Sequence, residues 1–208
     1  MNKQAQHTIE LFHGLISILK PPPKLTASEW ANKHVVLSTE DSAEPGKYTT
    51  DRAPYQKEML DAISQPDVEK VVYMTGSQIG KTQLMKNVLG YFIDYYPSPI
   101  MYMLPTLDIG KEQSKNRISP FIRDTKVLAE KMADPKVRDS GNTLLNKTFP
   151  GGYLAIVGAN SPAGLASRPI RVLLADEIDR YPASAGTEGD TLSLSSTRTP
   201  TWVFKPLF

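Results

Sequence analysis

The 208-residue chain contains no cysteine, which excludes disulfide scaffolds, thiolate metal sites and cysteine nucleophiles. Histidine is scarce: His7, His13 and His34 are the only three, and all precede residue 35. A histidine-dependent triad or zinc centre would have to be assembled from that arm alone. An excess of one charge is also lacking, with 24 Lys+Arg against 22 Asp+Glu and a formal net charge of +2. This excludes a strongly polybasic protein but leaves room for a local nucleic-acid-binding surface. Long apolar runs are missing too. The most apolar N-terminal run, residues 11–19, contains His13 and follows Glu10 rather than a basic cluster. It has neither the length of a membrane span nor the anatomy of an export signal. The expectation is a soluble, intracellular protein with no membrane partner.

What is present points to one domain with an arm. Ile9, Phe12, Ile16 and Leu19 fall at helical spacing before Pro21-Pro22-Pro23, which ends any helix and favours an extended linker. Thr26-Ala27-Ser28-Glu29 has the form of a capping box. Residues 40–53 read as a loop around Pro45-Gly46, and 55–63 resume helical spacing. Beyond them, short apolar runs at 70–74, 100–104, 153–157 and 171–175 alternate with helical patterns at 81–95, 108–121 and 125–133. Strands separated by helices predict an α/β fold, a mostly parallel sheet flanked by helices. We divide the chain into an arm and linker at 1–50 and an α/β domain at 51–208. Residues 111–138 hold eight basic and four acidic side chains, compatible with a solvated helical face or a nucleic-acid surface.

The most informative segment is the one that carries an apolar run into Gly76-Ser77-Gln78-Ile79-Gly80-Lys81-Thr82 and then into a strong helical pattern. Strand, small-residue loop and helix in that order form the context of a phosphate-binding loop. Successive backbone N–H groups make a concave anion site at the helix N-terminus. Gly80 lets the backbone approach phosphates, Lys81 neutralises their charge, and the Thr82 hydroxyl can ligate Mg²⁺. The pattern departs from the motif at Thr75, where glycine is expected. An ordinary strand-to-helix turn with an exposed lysine is the alternative.

A second signal narrows the choice. Val172-Leu173-Leu174-Ala175 runs into Asp176-Glu177, placing carboxylates at the C-terminal end of a strand, the edge where a phosphate loop also sits. Asp176 can hold Mg²⁺, and Glu177 can act as general base toward an attacking water. A plain strand end is the alternative for this pair in isolation. Gln56 can read an adenine edge through its amide, or be a surface residue of an amphipathic helix. Arg168 and Arg171 can each supply an arginine finger, or a solvent-facing salt bridge.

With these residues in view, the chain resembles the N-terminal ATPase region of phage terminase large subunits of the lambda-like type. The resemblance covers roughly 25–202. It rests on Glu29-Trp30-Ala31, Pro54-Tyr55-Gln56, the Ser77–Thr82 loop, Gly158-Ala159-Asn160-Ser161-Pro162 and Ser167-Arg168-Pro169. It rests further on Ala175-Asp176-Glu177-Ile178-Asp179-Arg180-Tyr181-Pro182, Glu188-Gly189-Asp190 and Arg198-Thr199. It implies a RecA-like P-loop fold, ATP and Mg²⁺ as cofactors, and coupling of ATP hydrolysis to packaging of double-stranded DNA into procapsids. The implied partners are duplex DNA, a terminase small subunit, a portal protein and further copies of the chain, in the host cytoplasm. By the same resemblance Gly76, Ser77, Gln78, Ile79, Gly80, Lys81 and Thr82 bind phosphates, Gln56 reads adenine, and Thr82 and Asp176 hold the metal. Glu177 is the implied base. Some relatives carry an arginine where Ser77 stands, so the finger must come from elsewhere, with Arg168 the first candidate and Arg171 the second.

The resemblance also sets expectations at the C-terminus. Family members continue past the Arg-Thr stretch into a further strand, a Ser-Thr-Pro-like coupling motif and a nuclease domain. Here Arg198-Thr199-Pro200-Thr201-Trp202 is followed by six residues, none of them acidic. A sheet lacking its last strand or strands, with an exposed edge, is therefore expected, and DNA cleavage is not assigned to this polypeptide. A truncated remnant that binds nucleotide or terminase partners without turnover is the second functional expectation.

Overall fold

A computed structural model describes residues 25–76, 79–132, 142–161 and 169–182, and the backbone of 201–205. The helical arm expected at 9–19 lies outside the described residues. The first helix, α1 (Ala27–His34), starts where the capping box predicts. The Thr26 side chain accepts from the Glu29 N–H, and the Glu29 carboxylate accepts from the Thr26 N–H at 2.9 Å. These reciprocal bonds satisfy two donors that a helix start otherwise leaves open. A short antiparallel pair, β1 (Val36–Leu37) and β2 (Gly46–Lys47), and helix α2 (Tyr55–Asp61) follow.

The central sheet has six strands: β3 (Lys70–Val72), β4 (Ile100–Leu104), β5 (Asn146–Phe149), β6 (Gly152–Gly158), β7 (Val172–Asp176) and β8 (Thr201–Lys205). Their order is β3-β8-β7-β4-β6-β5, with every pairing parallel except β5 against β6. All residues of β4 and β7 are buried, as central parallel strands covered on both faces must be. Their alternation divides the core. Ile100, Tyr102, Leu104, Val172 and Leu174 belong to the larger cluster, and Met101, Met103, Leu173 and Ala175 to a smaller one.

The long helix α3 (Lys81–Asp94) fills the larger core with Leu84, Val88, Leu89 and Ile93. Helix α1 packs directly on it: Trp30 is fully buried and its Nε1 donates to Asp94 Oδ2 at 2.7 Å. The contact depends on Gly90, because a Cβ there would stand 2.3 Å from Trp30 Cη2.

Two sequence expectations require correction in detail. The helix predicted over 108–121 is present as consecutive helical segments with a wide turn between them: α4 (Leu107–Gln113), a π-turn (Ser114–Ile118) and α5 (Ser119–Asp124). Pro120 is the physical reason, since it has no N–H to donate and its ring crowds the preceding turn. Helix α6 (Lys126–Lys131) then follows. The second correction concerns the sheet. Thr201–Lys205 is not among the strands expected from the sequence, yet β8 lies between β3 and β7 with parallel register to both. Thr-Trp-Val-Phe-Lys is rich in β-branched and aromatic residues, which suit a pleated strand. One strand thus follows Arg198-Thr199 inside the sheet, and β3 stands at the sheet edge. No helix among the described residues is long and apolar enough to cross a membrane.

Candidate functional site

Strand β3 delivers the chain to the loop, and α3 departs from it. Gly80 caps α3 with φ +78°, a left-handed conformation that glycine adopts without a Cβ penalty. Space demands glycine as well, because a Cβ would lie 2.6 Å from Gln56 Nε2. Two donors converge just upstream: the Tyr55 hydroxyl and Gln56 Nε2 each donate to the Ile79 carbonyl at 3.0 Å. Pro54-Tyr55-Gln56 therefore braces the loop. Gln56 is buried, and its Oε1 accepts from the Tyr48 hydroxyl at 2.8 Å. Its amide carries a second N–H donor. Burial pushes the Tyr48 hydroxyl up to about 12.

Lys81 is buried at the helix start, next to Thr82. Ser77 and Gln78 lie outside the described residues, whereas no atom stands within 4 Å of where a Gly76 Cβ would be. The Thr75 hydroxyl is buried and has no hydrogen-bond partner among the described residues. A cavity of about 620 Å³ opens beside the loop, lined by Gly80, Lys81 and Thr82 on the helix and by Tyr48, Thr49 and Gln56 opposite. This volume is in the range of pockets that hold nucleotide-sized ligands. Asp41, Lys86 and Arg117 also contribute to its wall. Lys86 is buried and ion-paired with Asp41, and burial pulls its ammonium below the ordinary lysine range, opposed by that carboxylate.

Asp176 ends β7 at the C-terminal edge, two strand positions from β3, or roughly 10 Å at the usual strand spacing. Its buried carboxylate accepts from the Tyr102 hydroxyl at 3.0 Å. Burial, reinforced by the Asp176 charge, pushes that hydroxyl well above the ordinary tyrosine range. Glu177 follows at φ 56° and ψ 47°, the only non-glycine with positive φ among the described residues. Backbone strain of this kind concentrates at functional sites. Arg180 Nη1 stands 3.1 Å from Glu177 Oε2, and the Tyr181 hydroxyl donates to Met103 O at 2.8 Å, tying this turn to β4.

Thr82 and Asp176 each offer oxygen, the donor type that hard divalent cations such as Mg²⁺ take. Among the described residues no three or more His, Cys, Asp or Glu gather in one place.

Arg171 is placed elsewhere. It precedes the N-terminal end of β7, with its guanidinium 4.6 Å from the Tyr96 ring centroid and Nη2 donating to the Tyr96 hydroxyl at 3.0 Å. Five residue steps of strand separate it from Asp176, roughly 16 Å. Among the described residues it does not meet the loop that ends at Thr82. Arg168 lies outside the described residues. The sequence does not single out Tyr48, Asp41, Lys86, Tyr102 and Arg117, because none sits inside a contiguous motif, and Arg180 stands in the motif that ends at Pro182 without a role of its own. Only Lys86, one turn past Thr82 on α3, carried a positional signal.

Residues 42–208 match the family described as phage terminase large subunit gpA, ATPase domain. The chain is 26% identical over 186 residues to the terminase large subunit of Enterobacteria phage P21, covering 89% of this chain and 28% of that protein. With the terminase large subunit of Escherichia phage lambda it shares 25% over the same length and coverage. It therefore spans little more than a quarter of the curated relatives it matches. In fold it is similar to the crystal structure of the HK97 bacteriophage large terminase, with a TM-score of 0.65 at 12% identity, covering 88% of this chain and 37% of that one. The loop-to-helix turn at Gly80, the carboxylates closing β7 and the match over 42–208 agree: the chain belongs to the gpA family of phage terminase large subunits, in its ATPase domain.

Proposed function

We propose that this chain binds and hydrolyses ATP as the motor portion of a phage terminase, coupling hydrolysis to packaging of duplex DNA in the host cytoplasm. The observation that carries this reading is that the Gly80-Lys81-Thr82 helix start and Asp176-Glu177 share one sheet edge, with one strand between their own.

Each residue has a task set by its chemistry. Backbone N–H groups from Gly76 to Gly80 and the α3 N-terminus receive the phosphates. Lys81 neutralises their charge, and Gln56 keeps the loop in place while presenting its remaining N–H to the base. Thr82 and Asp176 would hold Mg²⁺, which when bound supplies Lewis-acid stabilisation of phosphate charge. Glu177 accepts a proton from the attacking water, held in orientation by Arg180. Arg168 is the proposed transition-state arginine. A terminase small subunit, a portal protein and further copies of the chain are the proposed partners.

The test is equilibrium nucleotide binding with turnover measured in the presence and absence of duplex DNA. The expected result is Mg²⁺-dependent ATP binding that Lys81→Ala weakens at least about tenfold, the scale of a lost charge-assisted contact, with turnover raised by duplex DNA. Binding untouched by Lys81→Ala would refute the phosphate site, and turnover indifferent to DNA would refute the motor assignment.

A further inference from the structure

The cavity beside the loop holds more positive charge than Lys81 supplies. Lys86 lies one helical turn past Thr82 on the same face of α3. Its ammonium pairs with Asp41, and both side chains are nearly closed to solvent, at 8% and 7% exposure. Arg117 lines the same cavity, and its Nε stands 3.6 Å from Asp41 Oδ1 with the side chain 44% exposed. Two cations thus share one carboxylate, unequally. Lys86 is in close contact with it. Arg117 stands beyond normal hydrogen-bond length, so this ion pair engages little of a guanidinium that carries five donors.

Arg117 is also held in an unusual way. It belongs to the π-turn Ser114–Ile118, and an inserted wide turn re-aims the side chains it carries, which is why such turns recur at functional sites. From that turn its side chain lines the same cavity wall as Lys81 and Thr82.

We propose that Arg117 binds the terminal phosphate of a nucleoside triphosphate, passing from Asp41 to that phosphate while Lys86 retains the carboxylate. This inference rests on the nucleotide reading above and is separate from the transition-state role given to Arg168. A guanidinium can meet phosphate oxygens with two parallel donors, a stronger contact than its present one with Asp41.

The test is titration of the purified chain, with Mg²⁺, against a slowly hydrolysed ATP analogue and against ADP. Wild type, Lys81→Ala, Arg117→Ala, Arg117→Gln and Arg117→Lys are compared, with thermal melting to confirm folding. Both neutral variants should weaken the triphosphate about tenfold or more and ADP by less than about threefold, with Arg117→Lys recovering part of the loss. Arg117→Gln keeps the outcome from depending on the folding of a single variant. Equal losses for both nucleotides, or none, would overturn the role of Arg117 while leaving Lys81 dependence intact. A wild-type chain that binds neither nucleotide would overturn this inference and the underlying reading together.

Discussion

Tyr48 and Gln56 show how a few side chains keep the loop in order. Tyr48 donates to Gln56 Oε1, and Gln56 donates to Ile79 O immediately before Gly80. The Tyr48 hydroxyl titrates near 12, raised from the ordinary 10 mainly by burial. Because its folded pKa lies above the unfolded one, the stability it lends is complete below pH 10 and is lost as pH rises through 12. Tyr48→Phe should therefore make the alkaline decline of the urea midpoint between pH 10 and 12 shallower than in wild type. At neutral pH it should cost about 1–3 kcal/mol, since Gln56 Oε1 loses its donor in a buried position. An unchanged alkaline slope would refute that part. Gly80, Lys81, Thr82, Asp176 and Glu177 are legible in the sequence because each sits in a short motif whose spacing follows from its chemistry. Tyr48, Asp41 and Arg117 are not, since the chain brings them to the cavity from positions more than thirty residues away from Lys81 or Thr82 in either direction.

Among the elements, the packing of α1 on α3 carries the clearest energetic statement. In an exposed helix interior, Gly→Ala stabilises by about 0.5–1 kcal/mol. At Gly90 the new methyl would meet the buried Trp30 ring at 2.3 Å, and Trp30 cannot swing away without giving up its bond to Asp94. Gly90→Ala should therefore destabilise the protein by about 1–3 kcal/mol in urea denaturation. A gain in stability would show that the two helices are not in contact as described. The elements themselves are unequally readable. The strand predicted at 100–104 is found with those limits, and α3 ends one residue before its predicted end, because both present unbroken apolar patterns. Strand β5 escapes a sequence reading: Asn-Lys-Thr-Phe is polar, and only pairing with β6 makes it a strand. The sequence of β8 has the right residues, but its place between β3 and β7 is a matter of topology rather than local pattern.

At the scale of the molecule, strand order does the positioning. Chain segments far apart in sequence end at one sheet edge because β3, β8 and β7 run parallel and adjacent. That edge is where doubly wound sheets bind ligands, and it is where the loop and the carboxylates converge. The general-base role proposed for Glu177 at this edge is read by comparing Mg²⁺-dependent ATP turnover and ATP binding in wild type and Glu177→Gln. The substitution should reduce turnover about 100-fold or more, the usual contribution of a general base, with ATP affinity retained. Equal turnover in the two proteins would contradict it.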